Sequence, residues 1–174
     1  NEGENLAPWA AFGQANQLYT PLQLANYIAT LSGGGDRYTT HLLKNVRESG
    51  TGALEYVYDA EPVQTIEMSE ENLSAVLAGM HDLATDGAVS SYFKDCIVDA
   101  AAKTGTVQTG DTKNNNGAFV CFAPYDDPQI AAAIVIEKGG TGAALASTAV
   151  QVLNAYFSNA SANTTVTGEN TLLG

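Results

Sequence analysis

Three strand-like runs follow one another between residues 100 and 137, and they limit the chain to folds that contain a sheet of neighbouring strands. The first run, residues 100–109, mixes small and polar side chains, and the second, 117–123, is apolar. Polar residues, Gly and Pro separate the runs by short turns, and short turns join antiparallel strands. We therefore predict an α+β fold in which residues 100–109, 117–123 and 129–137 form an antiparallel sheet with helices packed on its faces.

The third run differs from the other two because it is apolar on both faces. Residues 130–136 are all Ala, Ile or Val. A strand of this kind is typical of a sheet covered by helices on each side, so we expect it to lie centrally. It is too short to span a membrane.

A helix is predicted after residue 20. Thr20 has the side chain of an N-cap, Pro21 is favoured at the first helical position, and Gln23 completes a capping box. Apolar residues then recur at helical spacing until the glycine run 33–35 ends the helix.

Two further helices are predicted on either side of the strand runs. Ser69 caps the first, which has an acidic first turn and an apolar stripe that ends near residue 87. The second covers residues 141–157 and is expected to pack across the sheet. The polar residues 158–174 are expected to form a flexible tail, which leaves residues 1–157 as one domain.

Two regions lie before the second predicted helix, one without regular structure and one with a predicted hairpin. Residues 5–18 have no clear period and are interpreted as an irregular lead-in. Residues 38–46 and 54–62 are predicted to form a hairpin around the turn 48–52, with one face sheltered.

The first strand run contains Lys103-Thr104-Gly105-Thr106, the part of the sequence that can carry specific chemistry. On a strand, Lys103 and Gly105 share one face and the two threonines share the other. If this strand lies at a sheet edge, its free backbone groups can pair with an extended peptide, while the ammonium and hydroxyl groups hold that peptide's carboxylate. The sequence therefore predicts a peptide-binding strand, although the triplet alone is weak evidence.

Other short runs place this strand in a wider context. Phe12-Gly13-Gln14 and Tyr19-Thr20-Pro21-Leu22-Gln23-Leu24-Ala25 precede it, and Ala123-Pro124 follows it. In this order, the runs resemble the C-terminal half of the transpeptidase domain of penicillin-binding proteins, closest to the class B, monofunctional branch. The resemblance covers residues 11–157 and implies part of the serine-type fold that these proteins share with β-lactamases.

The resemblance implies a function for the intact protein. In that family a serine attacks the penultimate D-Ala carbonyl of a peptidoglycan stem peptide, and the acyl group passes to an amine on a neighbouring stem during cell division or elongation. β-Lactams imitate the D-Ala-D-Ala end. Carried over to this chain, Lys103 and Thr106 are catalytic, with Thr106 also donating its N–H to the oxyanion, and Thr104, Gly105 and Thr106 bind substrate.

The nucleophile is expected to lie outside this chain. Ser91-Tyr92-Phe93-Lys94 matches Ser-x-x-Lys and Ser161-Ala162-Asn163 matches Ser-x-Asn, but both stand at the wrong places relative to Lys103. We interpret both as chance matches. A Lys-Thr-Gly strand without the nucleophile binds but cannot acylate, so this chain alone is predicted to be inactive.

The match to the family pattern also has two departures. Ala15 stands where the Gly-Gln-Gly pattern has its last glycine, and Asn116-Gly117-Ala118 replaces a more usual His-Ala-Trp. Two alternatives stay open: a β-lactamase or β-lactam sensor, which shares the fold and triplet, and a non-catalytic binding or assembly module.

Charge and the resemblance together limit the partners. Nineteen acidic residues against seven basic ones give a net charge of −12, which argues against nucleic acid as a partner. The resemblance implies stem peptides and β-lactams as ligands and an extracytoplasmic location, with an N-terminal anchor outside these residues. A sheet separated from the missing N-terminal half of its domain is expected to associate with that half or with itself.

Neither a cofactor nor a disulfide is expected. His41 and His81 have no second ligand at metal-binding spacing, so we interpret both as surface or packing residues. Cys96 and Cys121 are too few for a disulfide framework. A hairpin of residues 103–108 with 117–123 places Cys121 opposite the middle of the first strand and Cys96 roughly 30 Å away, so two free thiols are predicted.

Overall fold

The structure is a computed structural model that describes residues 18–108 and 115–163, with the backbone alone described over 160–163. The chain combines helices with separate antiparallel sheets in an α+β arrangement, which confirms the predicted fold class. In chain order, the elements are α1 (Pro21–Ser32), β1 (Asp36–Arg37), β2 (Asn45–Arg47), β3 (Leu54–Val57), β4 (Gln64–Thr65), α2 (Glu70–Thr85), α3 (Ser90–Phe93), β5 (Ala101–Val107), β6 (Asn116–Ala123), β7 (Ile130–Ile136), a 3-10 helix (Gly142–Leu145) and α4 (Ala146–Asn163).

The main sheet contains β5, β6 and β7 in that order, and both pairings are antiparallel as predicted. Lys103 is opposite Val120 and Phe119 is opposite Ile134. The observed strands lie inside or within one residue of the predicted runs, and Thr109, the last residue of the first run, lies outside the described residues. The turn between β5 and β6 is described only in part.

Two apolar clusters cover the two faces of this sheet. Because side chains alternate along a strand, Phe119 and Cys121 face one side and Phe122 faces the other. The first cluster joins the sheet to α4, and the second joins it to Ile28 of α1 and Met80 of α2. Phe119, Phe122, Cys121 and Leu153 are almost completely buried. These helices hold β5 and β6 from both sides.

The two predicted N-caps are confirmed. The Thr20 hydroxyl accepts a hydrogen bond from the N–H of Gln23 at 3.2 Å, and the Gln23 side chain accepts one from the N–H of Thr20 at 2.8 Å. Ser69 caps α2 in the same way by accepting from the N–H of Asn72. Each cap satisfies backbone donors that a helix start leaves without partners.

The prediction that the third strand is central was wrong for the described part of the sheet. There β7 pairs only with β6, so β7 is an edge strand and β6 is the central one. Val135 and Ile136, at its C-terminal end, are exposed. The apolar character on both faces of β7 comes from the helices α1 and α4 that pack against it, and it did not require a strand on each side.

The predicted hairpin before α2 forms, but it is shorter and less sheltered than expected. Its strands are β2 and β3, which pair with a register shift between Val46 and Arg47. Every residue of β3 is exposed, so the expectation of one sheltered face was wrong. The reason is that this hairpin forms a separate two-stranded sheet and does not join the main one.

The last helix extends further than predicted, past residue 157. The last helix begins with a 3-10 turn and continues as α4 to Asn163. Residues 158–163, which were expected to begin the flexible tail, are therefore helical. The remainder of that tail and most of the predicted lead-in, residues 5–17, lie outside the described residues.

The cysteines are free, as predicted, but their expected separation was wrong. Cys121 is opposite Ala102, near the start of β5, whereas Phe119 is opposite the middle residue Thr104. Cys96 packs against the same apolar cluster that contains Cys121, because residues 94–99 fold back against α4 before β5 begins.

Over the described residues, no helix has the length and apolar character needed to cross a membrane.

Candidate functional site

Strand β5 brings all four residues of the Lys-Thr-Gly-Thr run onto one extended segment. Lys103, Thr104, Gly105 and Thr106 pair in register with Val120, Phe119, Ala118 and Gly117 of β6. In the described sheet β5 has β6 on one side only, so it forms the edge opposite β7. The run was predicted to lie on a strand, with an edge position stated only as a condition for peptide binding, and in the described sheet that condition is met.

Lys103 is the single charged residue in strands β5, β6 and β7, all of which are described. Its side chain is exposed and lies on the same face as Gly105. The ammonium donates a hydrogen bond to the backbone carbonyl of Thr104, with 2.5 Å between Nζ and O. This hydrogen bond holds the ammonium group of Lys103 close to the backbone of β5 at Thr104.

The two threonines share the opposite face of β5. Thr104 is half-buried across from Phe119, while Thr106 is exposed across from Gly117. The Thr106 hydroxyl accepts a hydrogen bond from the N–H of Gly142, with 3.4 Å between N and Oγ1. One threonine is therefore set into the sheet face, and the other contacts the start of the 3-10 helix.

The backbone of Gly105 is in close contact with a neighbouring segment, whereas a side chain at this position would make only ordinary contacts. A Cβ on Gly105 would lie 3.4 Å from the Cβ of Ala118, an ordinary contact. On the other face, Gly142 approaches the Gly105 backbone so closely that no side chain fits between them. Sequence reasoning missed Gly142, and its signal would have been a glycine where a helix begins directly after a strand and turn.

The remaining runs behind the resemblance lie in different places. Phe12-Gly13-Gln14 lies outside the described residues. Thr20 and the residues after it start α1, which packs against β6 and β7. Ala123-Pro124 closes β6 with a cis peptide bond, and the Ala123 carbonyl accepts a hydrogen bond from the N–H of Gln129 in the turn to β7.

The Ser-x-x-Lys and Ser-x-Asn matches both involve residues on helices. Ser91 is exposed on the four-residue helix α3, which packs against α2 and α4. Ser161 lies in the last turn of α4. The interpretation of both as chance matches stays a prediction.

Both histidines contact aromatic rings. His81 pairs with Asp99, with 2.9 Å between Nε2 and Oδ2, and its ring stacks on Tyr125 at a centroid distance of 4.2 Å. His41 stacks on Tyr58 at 3.6 Å. In the part of the chain that the structure describes, no group of three or more His, Cys, Asp or Glu side chains could hold a metal ion.

Comparison with known proteins identifies the family. The family described as "Penicillin binding protein transpeptidase domain" matches residues 3–157. This match favours the predicted transpeptidase relationship over the β-lactamase and sensor alternatives.

Curated relatives agree with the family match. Penicillin-binding protein 2A of Bacillus subtilis is 34% identical over 139 residues, which cover 72% of this chain and 19% of the relative. The peptidoglycan D,D-transpeptidase MrdA of Escherichia coli is 28% identical over 166 residues, which cover 82% of this chain and 25% of that protein. The chain thus spans about a quarter or less of the length of these relatives.

A solved structure has the same fold. Penicillin-binding protein A from M. tuberculosis, solved as an imipenem acyl-enzyme complex, is similar with a TM-score of 0.68 and 26% sequence identity. The similarity covers 83% of this chain and 32% of that one. The described sheet has β5 at its edge. Because the family match covers residues 3–157, the chain belongs to the penicillin-binding protein transpeptidase domain family.

Proposed function

We propose that residues 103–106 form the substrate-binding strand of a peptidoglycan D,D-transpeptidase that also binds β-lactams. The observation that carries the proposal is the position of Lys103 on an edge strand, with its ammonium beside the strand's own backbone carbonyl. Two of the similar proteins support it: MrdA is a peptidoglycan D,D-transpeptidase, and penicillin-binding protein A was solved as an imipenem acyl-enzyme complex.

The proposed ligand is a stem peptide ending in D-Ala-D-Ala, laid along the edge of β5. An extended peptide can add to a sheet edge by backbone hydrogen bonds, while side chains on the strand select its terminus. Lys103 supplies positive charge, and Thr104 and Thr106 supply hydroxyl groups for the terminal carboxylate. Gly105, on the same face as Lys103, adds no side chain there and so allows a peptide backbone to approach closely.

Local charge matters because the whole chain is acidic. With a net charge of −12, the protein as a whole repels an anionic peptide or β-lactam. Lys103 offsets this repulsion at the point where the carboxylate binds. Removing its charge should therefore weaken binding as well as disturb the reaction.

The proposed reaction is acyl transfer through a serine ester. The serine oxygen attacks the penultimate D-Ala carbonyl, the terminal D-Ala leaves as an amine, and an amine of a second stem then displaces the serine. Lys103 belongs to the proton and charge network around that serine. The backbone N–H of Thr106 is one of two oxyanion donors, and loss of one such donor costs about 3 kcal/mol.

We further propose that the serine and its lysine lie outside residues 1–174, so that this chain alone binds but does not acylate. Stem peptides are assembled into the wall outside the cytoplasm, which makes the outer side of the membrane the proposed place of action. A segment outside these residues would anchor the protein there. The rest of the domain is the proposed partner of this chain.

A fluorescent penicillin tests these proposals. The chain itself should not be labelled, whereas the full-length protein that contains it should form a covalent adduct. Lys103→Ala in the full-length protein should abolish labelling with little change in the melting temperature. Lys94→Ala is the matched control, because Lys94 is also exposed and belongs to the chance Ser-x-x-Lys match.

The outcomes separate the alternatives. Unchanged labelling of the Lys103→Ala protein would remove the proposed role of the strand. Labelling of the chain itself at Ser91, or loss of labelling in the Lys94→Ala protein, would place the nucleophile inside this chain.

A further inference from the structure

We propose that Gly142 is a positioning residue for the substrate-binding strand, because it fixes the backbone of Gly105 and Thr106 from behind. Gly142 is the first residue of the 3-10 helix and is buried. The proposal rests on the function proposed above, since it concerns the same strand. It adds a residue that lies outside the Lys-Thr-Gly-Thr run.

The space at Gly142 is closed by backbone atoms of two strands. A Cβ there would lie 2.2 Å from the carbonyl oxygen of Ala118, 2.4 Å from that of Gly105 and 2.7 Å from the Gly105 nitrogen. None of these atoms can rotate away, as a side chain could. Gly142 is part of a right-handed 3-10 helix, so a larger residue is excluded by this contact and not by the backbone conformation.

The same helix start contacts the next residue pair of the two strands. The N–H of Gly142 reaches the hydroxyl of Thr106, and a Cβ on Gly117 would lie 3.2 Å from the carbonyl oxygen of Thr141. Thr106 and Gly117 are opposite each other in the sheet. The helix start therefore supports the strand where the proposed oxyanion donor lies.

An added methyl group would move the strand more readily than the helix. Leu145, Ala146 and Ala149 hold the helical side, since they are at most 4% exposed within the apolar core. On the other side, β5 is an edge strand in the described sheet, and Thr106 is exposed. The displacement should therefore fall on residues 105 and 106.

The size of this displacement can be bounded. Ordinary Cβ contacts begin at 3.4 Å, whereas the Cβ would start 2.4 Å from the carbonyl oxygen of Gly105. Relief of this overlap requires a movement of about 1 Å, and misplacement of that size in an active site can cost about 100-fold in rate. Gly142 thus acts through the strand, without touching the substrate.

The test compares two glycine substitutions in the full-length protein. Gly142→Ala should lower the acylation rate constant for fluorescent penicillin about 10- to 100-fold. The dissociation constant of the complex before acylation should change much less, because the oxyanion forms only during reaction. Gly79→Ala is the control, since its added methyl meets no atom within 4 Å. It should leave the acylation rate unchanged.

Hydrogen exchange gives a readout that does not depend on acylation. In the Gly142→Ala protein, amide exchange should become faster across residues 103–107 and stay unchanged in α2. A Gly117→Ala protein, in which the clash is milder, should show the same changes to a smaller degree. It also carries the test if Gly142→Ala does not fold.

The results distinguish this inference from the function on which it rests. Absence of acylation in the unmodified full-length protein would refute the proposed function, while hydrogen exchange would still test the role of Gly142. Wild-type acylation and wild-type exchange in the folded Gly142→Ala protein would overturn the inference. If only Gly117→Ala folds, the same two results in that protein would overturn it.

Discussion

The side-chain amide of Asn154 binds the backbone of Ile97, accepting a hydrogen bond from its N–H at 2.9 Å. The same amide donates a hydrogen bond to the carbonyl oxygen of Asp95 at 2.8 Å. Asn154 lies on α4, whereas Asp95 and Ile97 belong to the segment that leads into β5. One side chain therefore ties the segment that enters β5 to the last helix.

Asn154→Ala should destabilise the protein. It removes two hydrogen bonds to backbone groups, each worth about 1 kcal/mol net, so the free energy of unfolding should fall by about 1–2 kcal/mol. Asn159→Ala, at an exposed site of the same helix, controls for the higher helix propensity of Ala. Urea denaturation measures both variants. Equal stability of the two would show that the Asn154 bonds contribute nothing.

Loss of the capping box should weaken α1. Thr20→Ala removes the hydroxyl that accepts from the N–H of Gln23, and loss of an N-cap typically costs about 1 kcal/mol. Thr40→Ala is a suitable control because Thr40 is exposed and lies outside the helices. Thermal unfolding followed by circular dichroism compares the two. A Thr20→Ala protein as stable as the control would show that the cap is not needed once the helix is packed.

Local sequence signals predicted the parts of the fold that depend on neighbours in the chain. The caps at Thr20 and Ser69 satisfy donors within three residues, and the alternation of β5 and β6 follows from the strand period. The Lys103 to Thr106 run could be placed on a strand for the same reason. Its edge position could be stated only as a condition.

What the sequence did not predict depends on contacts between distant segments. The apolar run of β7 indicated burial, but it could not distinguish cover by helices from cover by neighbouring strands. The helix past residue 157 was missed because polar composition suggested a tail, although each further helical residue adds a hydrogen bond. The role of Gly142 was missed because Gly105 lies 37 residues earlier in the chain and meets it only through the fold.

The Cys121 thiol should make stability depend on pH in alkaline solution. Burial raises the pKa of Cys121 to about 12, and Cys96 adds a smaller contribution in the same direction. A raised pKa means that the neutral thiol stabilises the fold, fully below the unfolded pKa of about 8.5. This contribution is lost as the pH rises from there towards 12, by at most about 1.4 kcal/mol per pH unit.

Cys121→Ala should therefore flatten the fall in stability above pH 9, whereas Cys96→Ala should retain most of it. Urea denaturation at several pH values measures the slope for each protein. The comparison between variants cancels the titration of tyrosines and lysines, which all three proteins share. A wild-type slope in the Cys121→Ala protein would contradict the assignment.

The free edge of β7 should make this chain associate with itself. In the described sheet this strand has a partner on one side only, it carries no charge, and Val135 and Ile136 are 38% and 44% exposed. Edge strands without charge or proline favour pairing with another chain. In sedimentation velocity, the weight-average sedimentation coefficient of the chain should therefore rise with protein concentration. Added salt should strengthen association, because it screens repulsion between copies that each carry a net charge of −12.

Lysine substitutions distinguish pairing at the edge of β7 from non-specific hydrophobic association. Val135→Lys with Ile136→Lys should abolish association, although both changes reduce the net negative charge and so reduce repulsion between copies. Val152→Lys is the control, because Val152 is 42% exposed and belongs to α4, outside the strands of the sheet. It should associate as the unmodified chain does. If the control loses association to the same extent, the contact lies on the helical side, and the edge of β7 is not the interface.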